Sequence, residues 1–291
     1  MQAANCNQKG KAGCMVEKTG SQMVGTPTGF TEVDKLFRGL HGGDLIILAA
    51  RPRVGKTAFA LNVATNAAKS GATVGFFSLE ISANHATQRI LCSEARVSLR
   101  QFRQKSLQEG DQSAIMNAAD TLSGLELYID DDPVLSGPEM RAKARHLLRD
   151  KKKGLIIVDY LQLIQPPSNC RDSSRIAELA EISRGLKVLA KEIDVPVLAL
   201  SGLHFPHGER GIERPTLSDL HKWVPVEQDA DIIMYIDRPE NEVEDEINGG
   251  GEPGTADLIV AKHRNGPMRD TTLMFSPECV RFDNRNNVSH M

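Results

Sequence analysis

The stretch that most constrains this chain is Ala50–Thr57, A-R-P-R-V-G-K-T. It follows the apolar run Leu45–Ala49 and opens an alanine-rich segment, Ala58–Lys69, that reads as a helix. Strand, tight loop, helix is the context a phosphate-binding P-loop requires. Backbone N–H groups at a helix start have no partner within the helix, and the helix dipole puts partial positive charge there. A triphosphate supplies the missing acceptors. Arg51, Pro52, Arg53, Val54, Gly55, Lys56, Thr57 and Ala58 are therefore the expected nucleotide cradle. Lys56 would add a point charge at the outer phosphates, and the Thr57 hydroxyl would ligate Mg²⁺. The motif's usual first glycine is Ala50 here.

A second signal lies downstream. Leu155–Val158 followed by Asp159 is an apolar run ending in a carboxylate, the Walker B pattern, which would hold Mg²⁺ beside the P-loop. Between the two, Thr73–Ser78 reads as a buried strand ending in Leu79-Glu80, a carboxylate where open α/β sheets build their sites. Residues 83–123 read as helical with a break near Gly110, Leu125–Ile129 as a strand, and Asp130–Asp132 as a solvated loop. Met140–Lys153 reads as a basic helix whose charges face solvent.

Ser174–Asp194 has the clearest helical period, with Ile176, Leu179, Ile182, Leu186, Leu189 and Ile193 three and four apart. Strands are expected at Val195–Leu200 and Asp231–Ile236, with a long irregular segment, Gly202–Val226, between them. Its histidines, His204, His207 and His221, lack metal-ligand spacing. Strands at Ala256–Lys262 and Thr271–Phe275 flank Asn265-Gly266, a hairpin-turn signal, so Lys262 and Arg264 should project from one face near the hairpin tip. A short strand around Val280–Phe282 closes the pattern. The fold class expected is α/β: a mostly parallel twisted sheet flanked by helices, with an antiparallel C-terminal β-hairpin.

Composition sets the limits. The chain has 291 residues, 40% of them apolar, enough for one large α/β domain or two small ones. Its formal net charge of −3 means that any nucleic-acid contact must come from local patches. Five scattered cysteines without a C-x-x-C pair suggest free thiols in a reducing compartment. With no membrane-length apolar run and no signal peptide, a cytoplasmic protein is expected. Residues 1–24 read as a flexible arm, 25–283 as the ATPase domain and 284–291 as a polar tail.

With these pieces placed, the chain resembles the C-terminal RecA-like ATPase domain of the bacterial replicative DNA helicase, the DnaB family. The matching stretches are Pro27–Asp34, Gly43–Pro52, Phe77–Glu80, Arg141–Arg145, Ile156–Ile164, Glu181–Glu192, Glu227–Asp231 and Lys262–Pro267, in family order. The resemblance implies ATP as nucleotide and Mg²⁺ bound through Thr57 and Asp159. It implies Glu80 as general base, on the view that Glu80 ends the strand next to the P-loop strand. Lys262 and Arg264 would enter a neighbouring subunit's site, so that hydrolysis needs a homo-oligomer, typically a hexameric ring around single-stranded DNA. Alternative readings are a RecA- or RadA-like recombination ATPase, and a helicase-derived nucleotide-binding interaction module that unwinds weakly or not at all.

Three departures bear on that choice. The family's Ser-Gln pair after the strand at Val195–Leu200 is Ser201-Gly202 here. Its DNA-contacting loop is replaced by Leu220–Pro225, where Lys222 would meet a phosphate and Trp223 would either stack on a base or pack inward. The family's N-terminal domain and linker helix have no counterpart in residues 1–24.

Overall fold

The computed structural model describes residues 23–151, 153–166, 174–203, 225–238 and 254–285. Residues 1–22 of the arm, 286–291 of the polar tail, the 204–224 segment with Lys222 and Trp223, and most of the acidic Gly-rich stretch at 241–254 lie outside the described residues.

Five apolar runs are buried along nearly their whole length: β1 (Leu45–Ala50), β2 (Thr73–Ser78), β4 (Gly154–Asp159), β5 (Val197–Gly202) and β6 (Ile232–Asp237). Continuous rather than alternating burial is what a parallel sheet covered on both faces requires. With β3 (Leu127–Asp130), β7 (Gly254–His263), β8 (Thr271–Ser276) and β9 (Arg281–Asn284) they form one nine-stranded sheet. Its order is β3-β2-β4-β5-β1-β6-β7-β8-β9. β3 through β6 pair in parallel, and β7 to β9 extend the sheet antiparallel, with the alternating burial of strands packed on one face.

Successive β1 residues feed opposite faces, as the pleat dictates. Ile46, Leu48 and Ala50 join one core with α1 (Thr31–Phe37), α2 (Lys56–Lys69) and α3 (Ala83–Ala95). Leu45, Ile47 and Ala49 join the other, under α6 (Gly137–Leu147) and α7 (Arg175–Ile193). An aromatic chain ties α2 to the last strands: Phe30 stacks on Phe59 at 4.9 Å, Phe59 meets Phe282 edge-on at 5.5 Å, and Phe282 lies 4.5 Å from Phe275. Among the described residues no helix is long and apolar enough to cross a membrane.

Several boundaries differ from the sequence reading, each for a local reason. The 83–123 stretch breaks twice, because Arg96 turns left-handed and Ser98 caps α4 (Leu99–Gln104), before α5 (Asp111–Ser123). α6 starts three residues before Met140 because Ser136 and Glu139 form a capping box, and it stops at Leu147, leaving Arg149, Lys151 and Lys153 outside it. The Asn265-Gly266 signal does not close a tight hairpin. The β7–β8 ladder ends at Leu258↔Thr271, while along its other edge β7 pairs with β6 from Asp257 to His263, with Lys262 opposite Ile233. Pro267, without an N–H, cannot extend that ladder.

Candidate functional site

Gly55 is the N-cap of α2 with φ +111°, and no side chain caps the helix start. The first N–H groups of α2 are thus left facing the loop. A side chain at position 55 would be strained, and its Cβ would come within 3.1 Å of the Phe282 ring. Within the loop, Val54 and Ala58 are buried, whereas Pro52 and Arg53 are exposed. Arg51 is anchored away by a 2.8 Å ion pair with Asp237. The loop abuts the end of β5: Ala50 lies opposite Gly202, and its carbonyl accepts the Leu203 N–H at 2.9 Å.

Asp159 closes the site from β4. It is fully buried, and among the described residues neither carboxylate oxygen has a hydrogen-bond partner of good geometry. Burial pushes its pKa up from 3.8 to about 6, while Lys56, the neighbouring Thr57 hydroxyl and, more weakly, Arg89 pull it back and Glu80 adds to the rise. Burial also holds Lys56 below its usual value, against Asp159 and Glu80. The Lys56 ammonium rests 4.6 Å from the centre of the Tyr160 ring. An orphaned buried carboxylate, a hydroxyl beside it and uncapped helix N–H groups form a donor set suited to Mg²⁺ and phosphate. Among the described residues there is no group of three or more His, Cys, Asp or Glu able to hold a metal. A cation here would therefore be completed by phosphate and water, the usual habit of Mg²⁺.

The strand order corrects one expectation. Glu80 does not follow the strand next to β1. β2 lies beyond β5 and β4, and its Ser78 is opposite Asp159. Glu80 reaches the site by neighbouring Asp159, exposed where Asp159 is buried, and its charge acts on both Lys56 and Asp159.

Lys262 and Arg264 lie at the other end of the sheet. Asp231, just before β6, accepts the Leu45 N–H at 2.9 Å and the Arg264 Nη1 at 3.0 Å. Leu45 begins β1 and Ala50 ends it, so the P-loop is about 17 Å further along the strand. Neither cation can reach the P-loop of its own chain.

Two participants carried no sequence signal. Arg89, mid-α3, has a buried Nε without a hydrogen-bond partner among the described residues, and its charge is felt by Asp159. Gln162, on the 3-10 turn after β4, donates to the Ser201 hydroxyl at 2.9 Å and, more weakly, to the Gly202 carbonyl at 3.4 Å, while its own Oε1 is buried without a partner among the described residues. Conversely, Asp130–Asp132 is structural: Lys143 bridges Asp130 and Asp132, and Asp131 accepts the Ala83 N–H at the start of α3.

Asp159 yields a pH-dependent expectation. A folded-state pKa above the ordinary value means that ionisation opposes folding. The penalty is absent below about pH 3.8, grows up to about pH 6 and persists above it. Asp159→Asn should therefore make the nucleotide-free protein more stable at pH 8 by about 1–3 kcal/mol, with the gain vanishing toward pH 4. Urea unfolding at both pH values measures this, and Mg²⁺ should stabilise the parent but not the variant at pH 8. Equal parent–variant differences at the two pH values would refute the assignment.

A P-loop after β1, one strand between it and the strand carrying the buried aspartate, and helices on both faces make this a RecA-like P-loop NTPase core. Residues 25–284 match the DnaB-like helicase C terminal domain, and the chain belongs to that family. It is 41% identical over 271 residues to the replicative DNA helicase DnaB of Geobacillus stearothermophilus, covering 93% of this chain and 59% of that protein. It is 42% identical over 263 residues to the replicative DNA helicase DnaC of Bacillus subtilis, covering 90% of this chain and 57% of that protein. The chain thus spans less than two thirds of the length of these relatives. The solved structure of a DnaB-like replicative helicase superposes with a TM-score of 0.82 at 32% identity, covering 90% of this chain and 62% of that one. The RadB recombinase, at 18% identity and a TM-score of 0.51, shares the fold alone.

Proposed function

We propose that this chain is the motor domain of an ATP-dependent DNA helicase or translocase that acts in the cytoplasm during DNA replication. Hydrolysis at subunit interfaces of a homo-oligomer, a hexameric ring in this reading, drives movement along single-stranded DNA. Family membership supports the class of activity. The observation that carries the mechanism is the separation of the phosphate cradle from Lys262 and Arg264 at opposite ends of β1. An ATPase so built is completed by a second copy.

In this reading the uncapped start of α2 and Lys56 hold the ATP phosphates. Thr57 and Asp159 would hold Mg²⁺, which when bound neutralises charge on the phosphates. Glu80 accepts the proton of the attacking water, and the neighbour's Lys262 and Arg264 meet charge developing on the transferred phosphoryl group. Lys222 and Trp223 hold single-stranded DNA by phosphate charge and base stacking.

The test is ATPase activity with and without single-stranded DNA, over a range of protein concentrations, for the parent and Lys56→Ala. A rate per chain that rises with concentration and with DNA, and is lost in the variant, is expected. Nucleotide binding with negligible turnover under all these conditions would instead favour the interaction module. Gly202 motivates that second reading, since beside Ala50 it offers no side-chain amide to a phosphate.

A further inference from the structure

Asp231 is a buried carboxylate outside the phosphate site, shared between three segments of the chain. It is 3% exposed and immediately precedes β6. Its Oδ2 accepts the Leu45 N–H and the Lys187 ammonium, and Lys187 also donates to the Gly43 carbonyl at 2.7 Å. Its Oδ1 accepts Arg264 Nη1 at 3.0 Å, and its carbonyl accepts the Arg264 N–H at 2.8 Å. The residues just before it complete the cradle. Gln228 O accepts Arg264 Nη2 at 3.2 Å, and the Glu227 and Ala230 carbonyls accept the Lys262 ammonium. Both cations of β7 and its turn thus rest on the single segment Glu227–Asp231.

The sharing has a chemical consequence. Guanidinium and carboxylate commonly pair through two parallel hydrogen bonds, which would consume the edge a phosphate needs. Lys187, only 13% exposed, occupies the second carboxylate oxygen. Asp231 is left to hold Arg264 by one Nη, the Gln228 carbonyl accepts only weakly from the other, and nearly half of the arginine side chain, 47%, stays exposed. Arg264 is fixed in direction yet remains available.

We propose that Asp231, clamped by Lys187, is a positioning residue that presents Arg264 to the nucleotide site of a second copy of this chain. Asp231 touches no substrate and acts through Arg264. The proposal rests on the trans-acting reading above, and subunit mixing separates the two.

Asp231→Asn keeps an acceptor but loses the charge that directs Arg264. It should lower ATPase at least tenfold while nucleotide affinity stays within twofold. An Asp231→Asn/Lys187→Gln double variant removes the buried pair together and guards against misfolding from an unpaired lysine. Each is then mixed in equal amounts with Lys56→Ala, which has a dead phosphate site and an intact Arg264. In a head-to-tail assembly roughly a quarter of random interfaces join a sound P-loop to a sound arginine, and activity should recover toward that fraction. Arg264→Ala mixed with Lys56→Ala should recover likewise, whereas Asp231→Asn mixed with Arg264→Ala should not. Rescue of Arg264→Ala without rescue of either Asp231 variant overturns the Asp231 proposal, as does parental ATPase in Asp231→Asn. Failure to rescue Arg264→Ala overturns the trans-acting reading itself, and the Asp231 proposal with it.

Discussion

Arg264→Ala is expected to bind nucleotide as the parent does and to hydrolyse it about 10³- to 10⁵-fold more slowly, the usual worth of an arginine supplied to a phosphoryl-transfer site. That range corresponds to about 4–7 kcal/mol of transition-state stabilisation. The expectation follows from distance. Arg264 is tied to Asp231 beside Leu45, and the P-loop begins after Ala50, at the far end of the same strand. Removing Arg264 leaves Asp231 paired with Lys187, so the fold should survive. Lys262 is partly shielded, and burial holds its pKa below the ordinary value, with Arg264 the next contributor. Lys262→Ala should cost less than Arg264→Ala, because the arginine side chain is the more exposed and has a planar fork suited to phosphate. Single-turnover hydrolysis beside a nucleotide-binding titration measures both. An Arg264→Ala rate within tenfold of the parent would remove the finger assignment.

What the sequence showed and what it hid follow from the range of the interactions. The P-loop was legible because its chemistry is local: an apolar strand, a left-handed Gly55 and an uncapped helix occur in consecutive residues. Asp159 at the end of β4 and the apolar face of α7 were legible for the same reason. Lateral strand order was not. Apolar runs state that strands are buried, and nothing in β2 reveals that β4 and not β1 is its neighbour. Glu80 could therefore be placed at the end of a buried strand while the neighbour of that strand was misread. The Asn265-Gly266 signal placed a turn but not the extent of pairing: the β7–β8 ladder stops at Leu258↔Thr271, and beyond it β7 pairs only along its other edge, with β6. Asp231 could be quoted within a motif, but its bonds to Leu45, Lys187 and Arg264 exist only once three segments fold together.

Glu80→Gln should lower turnover by about 10²–10⁴ and leave Mg²⁺-nucleotide binding nearly intact. In the proposed mechanism two carboxylates serve one site, and their surroundings divide the work. Asp159 is fully buried, and among the described residues neither oxygen has a hydrogen-bond partner of good geometry, which suits a fixed cation. Glu80 is exposed, two residues past the strand neighbouring Asp159, and in the proposed mechanism would hold and deprotonate a solvent molecule. Glutamine keeps the shape and the hydrogen bonding but cannot take the proton. Asp159→Asn should fail differently, losing Mg²⁺-dependent affinity as well as rate. The comparison is decisive because both changes are isosteric and Glu80 lies two residues beyond Ser78, the β2 residue opposite Asp159. If Glu80→Gln weakens Mg²⁺-nucleotide binding as much as Asp159→Asn does, or leaves turnover untouched, Glu80 is not the base. Arg89, whose charge acts on both carboxylates, would then be the next side chain to examine for the orientation of the attacking water.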